Sequence, residues 1–199
     1  MSAAAAANLI AQGRQLLTGL HSPLVAEYLA LWPCAPLRAA PVPACIPALR
    51  YLPGAANLAP AFSAAFAAAL KTAAPGLVWR RSYTPEAVGP EFWDNYGWTE
   101  LVGLTGPAPS ERLACGLLVL GPHLTYSLHH HEAEEIYVPL SGIADWKLGG
   151  QPWQAAPPGS VIHHPSSQSH AMRTADAALL ALYLWRGENL SQKSQLTER

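Results

Sequence analysis

From Leu77 onward the chain is cut into short β-like runs separated by Gly and Pro. "LVWRRSYT", "ACGLLVLG", "LTYSLHHH", "EEIYVPLSG", "ADWKLGG", "QPWQAAPPG", "SVIHHPS", "SHAMRT" and "ALLALYLWRG" follow one another at hairpin spacing. Strand-sized runs of this kind, with turn residues between them, predict an all-β sandwich or barrel.

The first 76 residues have a different texture. "AANLIAQGRQLLTGL" is rich in Ala and Leu, and "SPLVAEYLALW" opens with a Ser-Pro pair suited to a helix cap and first turn, which sets a helix start near Ser22. Prolines at 33, 36, 41, 43, 47 and 53 each remove a backbone donor, so the stretch between Trp32 and Pro60 reads as an extended connector. A third helical run, "APAFSAAFAAALKTAAPG", spaces Phe62, Phe66 and Leu70 on one face that must pack against something. The expected organisation is one structural unit, with a helical N-terminal extension over residues 1–76 packed on a β-barrel over residues 77–199. The polar last dozen residues read as a frayed tail.

At 199 residues, half of them hydrophobic, the chain can bury a full core. A formal net charge of -1 and the absence of a long Lys/Arg run give no electrostatic footprint for nucleic acid or an anionic membrane. No apolar run approaches the ~20 residues of a membrane span, and "MSAAAAANLIAQGRQLL" lacks a basic leader region with a cleavage site. Cytoplasmic residence and a small-molecule or protein partner are the expectations, with a homodimer left open. Cys34, Cys45 and Cys115 form no CxxC pair, which argues against a disulfide framework or a thiolate zinc site.

Against a charged fraction of 13 %, "HHHEAEEIY" packs three histidines, three glutamates and a tyrosine into residues 129–137. In a strand His129, His131, Glu135 and Tyr137 share parity. If a turn interrupts the run near Ala133, the two pieces would converge by lying on paired strands. A second contribution is expected from "HHPSSQSH", where His163, His164 and His170 are the candidates. Imidazoles and a carboxylate projecting from rigid strands into one cavity form a site for a divalent metal ion such as zinc, iron, manganese, cobalt or nickel.

These residues carry a resemblance. Gly121, His129, His131, Glu135 and Gly142 resemble the first cupin motif, with a longer initial gap than usual. "GSVIHHPSSQSH" resembles the second through Gly159, Pro165 and His170, with Ser167 where glycine is usual. The resemblance implies a mainly β fold, the cupin double-stranded β-helix or jelly-roll barrel, and it selects His170 over His163 and His164 as the distant ligand. Within the superfamily the chain is most similar to the cupin-type dimethylsulfoniopropionate lyases, through "HHHEAEEIYVPLSG", the helical extension and the total length. That likeness implies a metal held by His131, Glu135 and His170 with Tyr137 close to it. It makes His129 a fourth ligand or a substrate-side group, and makes Tyr126 a pocket residue. Because Tyr126 is out of phase with His129, its inward placement requires a bend or bulge.

The implied reaction is a β-elimination releasing dimethyl sulfide and acrylate, with the metal as Lewis acid at the carboxylate and Tyr137 as general base. A sulfonium is recognised by aromatic faces. "EFWDNYGWTE", with Trp93, Tyr96 and Trp98, is expected to form a loop over the pocket mouth, and Trp185 is a further candidate. The same rings would otherwise fill the helix–barrel interface. Two other readings stay open: another metal-dependent cupin enzyme, a dioxygenase or isomerase, or a non-catalytic cupin binding module.

Overall fold

The computed structural model describes residues 2–39 and 42–197. Helix α1 (Ala3–Gly19) starts where the Ser2 hydroxyl accepts from the Ala5 amide, and α2 (Pro23–Leu29) starts at Ser22 in the same way, with Pro23 in its first turn. The proline-rich stretch is not wholly extended. It contains a 3₁₀ turn, Pro47–Tyr51, and helix α3 (Leu52–Asn57). Pro47 and Pro53 sit in first-turn positions, where the missing N–H has no helical partner to lose. In α4 (Ala64–Ala73) Phe66 and Leu70 are buried, but Phe62 is 40 % exposed. It lies in the preceding 3₁₀ turn, whose tighter winding rotates it off the apolar stripe.

Strand β1 (Trp79–Arg80), the short helices α5 (Pro85–Val88) and α6 (Pro90–Asn95), and strands β2 (Tyr96–Gly103), β3 (Ala108–Pro109) and β4 (Leu113–Leu120) follow. The remaining strands are β5 (Thr125–His130), β6 (Glu134–Ser141), β7 (Ala144–Leu148), β8 (Gln154–Ala156), β9 (Ile162–His164), β10 (His170–Thr174), β11 (Leu179–Arg186) and β12 (Gln195–Leu196). They form two sheets. One has the order β1-β2-β4-β11-β6-β9, with β3 added parallel to β2; the other has the order β12-β5-β10-β7-β8. This is the mainly β jelly-roll with a helical N-terminal segment that the strand pattern and motifs imply.

Alternation along the central strands sorts the core into two layers. Leu113, Leu117, Ile136, Val138, Leu182 and Leu184 face the helices and pack with Leu9, Leu17, Phe66 and Leu70. Ala114, Leu118, Tyr137, Ala181 and Tyr183 face the barrel interior. Both faces of β4 are therefore covered, which is why it reads as an uninterrupted apolar run. Each fully buried Leu of the helix-facing layer contributes about 2 kcal/mol. Gly142 turns the corner after β6 at φ +79°, and a Cβ there would lie 2.4 Å from the Ala178 carbonyl oxygen, so the last glycine of the first motif is required by backbone geometry.

The C-terminal segment is not frayed as far as residue 197. Strand β12 pairs with β5, and the Thr197 amide donates to the Leu128 carbonyl at 2.8 Å. None of the described helices is long and apolar enough to cross a membrane.

Candidate metal centre

The histidine-rich run does turn near Ala133, but its two pieces do not pair. Strand β5 belongs to the five-stranded sheet and β6 to the seven-stranded one, so "HHHEAEEIY" carries the chain across the barrel from sheet to sheet. His129 comes from the first sheet, Glu135 and Tyr137 from the second, and His131 from the corner between them. His170, on β10, lies opposite His129 in register.

Among the described residues, one group of side chains could share an ion: His131, Glu135 and His170, whose donor atoms all lie within 4.8 Å of one another. Both imidazoles are held by their far nitrogen. His131 Nδ1 is 2.9 Å from the Ala133 carbonyl and His170 Nδ1 is 2.9 Å from that of Gln168. A carbonyl only accepts, so Nδ1 carries the proton and the Nε2 lone pair points inward, the tautomer a metal requires. His131 Nε2 is 3.0 Å and His170 Nε2 3.2 Å from Glu135 Oε2. Glu135 Oε1 accepts from Trp185 Nε1 at 2.5 Å. His170 Nε2 is buried without a hydrogen-bond partner. Two inward lone pairs on a buried carboxylate form an under-satisfied set that a divalent cation completes, so the residues fit such an ion.

The electrostatics agree. Burial raises the cost of charge on Glu135, but His131, His164 and His170 outweigh it and hold the carboxyl well below its usual range. Burial likewise opposes charge on His131, and its contacts with Glu135 outweigh it, raising its pKa. His129, in contrast, is held well below its usual value by burial and by His170 beside it.

His129 stands outside the three-donor group. Its Nδ1 is 2.8 Å from the Ser127 carbonyl, and its ring meets that of His170 at 65° and 4.2 Å. On its other side it stacks on Tyr126, with centroids 3.8 Å apart and planes 8° apart. The bend that this requires is present: the β5–β10 register slips between His170 and Met172, so that three steps along β5 match two along β10. The extra residue brings Tyr126 to the same interior as His129. The Tyr126 hydroxyl meets those of Tyr83 at 2.9 Å and Tyr96 at 3.5 Å. Tyr137 points inward beside Glu135, and burial, then the Glu135 charge, push its pKa well above the usual tyrosine value.

A cavity of about 630 Å³ opens onto Glu135. Tyr96, Trp98, Tyr126, Tyr137, Tyr183 and Trp185 line it, and Arg80, Arg81 and Lys193 bring positive charge to it. Trp93 is not among its lining residues; it lies beneath the Arg81 guanidinium, 4.2 Å from ring to cation. The segment expected to be a loop lid is instead the end of α6 running directly into β2, so Tyr96 and Trp98 are fixed wall residues. A larger groove, about 840 Å³, runs along α1 past Arg14 and Trp32 and contains none of these groups.

Trp185, expected in the pocket, does line it and lies opposite Glu135 in register, but other wall residues escaped the sequence reading. Tyr183 shares the inward face of β11 with Trp185. The stretch Leu190–Ser194 supplies one side of the cavity, tied down where the Glu132 amide donates to Gln192 Oε1. Only parity with Trp185 on β11 could have hinted at Tyr183; nothing local marks the 190–194 stretch.

Residues 35–181 match the family profile described as dimethylsulfoniopropionate lyase. The chain is 39 % identical over 110 residues to the dimethylsulfoniopropionate lyase DddQ of Ruegeria pomeroyi, an alignment that spans 55 % of each protein, about half the length of that curated relative. The crystal structure of that DddQ superposes with a TM-score of 0.86 at 34 % identity over 98 % of both chains. A structure reported with the lyases RdDddP and RnDddQII superposes at 0.90, with 32 % identity over 99 % of this chain and all of the other. A cupin-2 domain from Rhodospirillum rubrum, 21 % identical with a TM-score of 0.50 over 63 % of this chain and 78 % of its own, shares the fold alone.

Proposed function

The chain belongs to the dimethylsulfoniopropionate lyase family, and from that premise we propose that it cleaves dimethylsulfoniopropionate to dimethyl sulfide and acrylate, using a divalent metal ion held by His131, Glu135 and His170. The observation that carries the reading is the convergence of these three donors around Glu135, which together with Tyr137 lines an aromatic cavity. The mixed nitrogen and oxygen donors suit zinc, iron, manganese, cobalt or nickel. When bound, the ion supplies positive charge that polarises the substrate carboxylate and favours the phenolate form of Tyr137.

In this reading Tyr137 Oη accepts the proton from the carbon beside the carboxylate. The electron pair of that C–H bond becomes the carbon–carbon double bond of acrylate, the C–S bond breaks, and its pair leaves on dimethyl sulfide. The sulfonium has no hydrogen to donate, so the faces of Trp98, Tyr183 and Trp185 hold it, each worth about 0.5–2 kcal/mol. His129 acts on the substrate side rather than as a ligand, since its ring is aligned with Tyr126 and outside the donor group. The Leu190–Ser194 segment closes the wall and keeps water from the reacting carbon. We place the reaction in the cytoplasm, where the free thiols Cys34, Cys45 and Cys115 stay reduced.

The test is to mix metal-loaded protein with dimethylsulfoniopropionate and quantify both products by chromatography. Equimolar dimethyl sulfide and acrylate support the reading. Absence of either from folded, metal-loaded protein overturns it.

A further inference from the structure

Strand β9 presents two adjacent histidines to opposite faces. His163 points outward, with Nε2 2.7 Å from a Glu134 carboxylate oxygen. His164 points inward, is 1 % exposed, and lies opposite Glu135 in the β6–β9 register. Its Nδ1 faces Glu135 Oε2 at 3.5 Å without closing a hydrogen bond to it, and has no hydrogen-bond partner elsewhere. A buried polar atom left unpaired costs about 1–3 kcal/mol, so its placement against the one carboxylate of the centre calls for a role.

Ring geometry decides which role. A metal on an imidazole nitrogen lies in the plane of that ring. The planes of His131 and His170 cross at 75°, with centroids 5.1 Å apart, so a single point can lie in both. The planes of His164 and His170 are only 18° apart, with centroids stacked at 3.9 Å. Planes so nearly parallel meet far outside bonding distance of either ring. His164 is therefore not arranged to share an ion with His170. It is arranged to hold what surrounds the ion, and Trp146 and Tyr137, with ring centroids 6.0 and 5.7 Å away, hold His164 in turn.

We propose that His164 is a positioning residue of the metal centre: its Nδ1–H is the donor placed to close on Oε2 of Glu135 when an ion is bound, and its ring face sets the orientation of the His170 imidazole. Trp185 already anchors Oε1, so the two donors together fix the carboxylate plane. Partners of this kind are worth about 10–100-fold in metal affinity. The inference rests on the metal-centre reading and is independent of which substrate is cleaved.

The experiment measures Co(II) affinity by chelator competition, with no substrate present, for the unmodified protein and for His164→Ala, His164→Gln, His164→Asn and His163→Ala. Asn places an amide nitrogen near the position of Nδ1, whereas Gln fills the space but carries its amide further out. Affinity is expected to fall about 10–100-fold in the Ala and Gln variants, to stay within a few-fold in the Asn variant, and to be unchanged in the His163 variant. The Co(II) absorption bands of the saturated Ala and Gln variants keep their position and intensity, because no donor is lost. Full affinity in the Ala and Gln variants overturns the proposal. So does a band shift of the kind that follows loss of a nitrogen ligand, which would make His164 a ligand. An unmodified protein that binds no Co(II) overturns it together with the metal-centre reading, whereas a metal-loaded protein that releases no dimethyl sulfide overturns the lyase reading alone.

Discussion

Replacing Tyr137 with Phe removes one oxygen from the cavity wall and little else. The ring is 4 % exposed and packs 4.9 Å from Trp146 and 5.7 Å from His164, centroid to centroid, contacts in which the hydroxyl takes no part. The hydroxyl lies beside Glu135, and that carboxylate keeps the Trp185 Nε1 donor on one oxygen and the imidazoles of the centre against the other. Stability should change by no more than about 1 kcal/mol, the net value of one hydrogen bond, and metal content should hold. Turnover should fall about 10²–10⁴-fold, the usual contribution of a general base, equivalent to about 3–5 kcal/mol of barrier. KM should move only a few-fold, since the aromatic walls are intact. Because the group must lose its proton to act, the unmodified rate should rise with pH on its alkaline approach, and the Tyr137→Phe variant should lose that limb. Dimethyl sulfide release, bound metal and thermal melting are measured in parallel. A variant that keeps its metal and more than a tenth of the rate refutes the assignment, and the proton acceptor is then to be sought at Tyr126 or His129.

Acidifying the metal-free protein from pH 7 towards 4 should destabilise it. His164 is held down to about 4 chiefly by burial, and His129 well below its usual value, so below about 6.5 the unfolded chain binds protons that the folded chain refuses, and stability falls with pH. His131, whose raised pKa acts in the opposite sense, reduces the net fall; a urea midpoint that holds or rises between pH 7 and pH 5 refutes the assignment. Gly142→Ala forces φ +79° on a residue with a Cβ and drives that atom into the Ala178 carbonyl. A loss of about 2 kcal/mol or more is expected, lowering Tm by about 5 °C or more while metal binding at low temperature is kept, and an unchanged melting curve counts against it.

Much of the site was legible because histidine, glutamate and tyrosine are scarce enough in so apolar a chain to stand out, and because their spacing matched two motifs. His131, Glu135 and His170 could be selected that way, and the phase conflict at Tyr126 pointed to a bulge that the β5–β10 register contains. The same motif logic set His164 aside, because a motif records which residues recur and not which of them face inward. Trp93 was grouped with Tyr96 and Trp98 from a shared segment, yet a helix end separates it from them and turns it towards Arg81.

Local pattern determined what each strand is and which of its faces is apolar, since alternation at period two is written into consecutive residues: Leu113 and Leu117 to one side, Ala114 and Leu118 to the other. It also determined where the chain must turn, as at Gly142. Only the tertiary structure decided which strands are neighbours. The pairing of Glu135 with His164 across β6–β9, the pairing of Trp185 with Glu135 across β11–β6, and the seating of β12 on β5 all join residues that are distant in sequence. Register between strands is chosen by the burial of two whole sheet faces at once, a sum over the entire barrel that no single stretch of sequence encodes, and it is this sum that surrounds one carboxylate with three imidazoles and an indole.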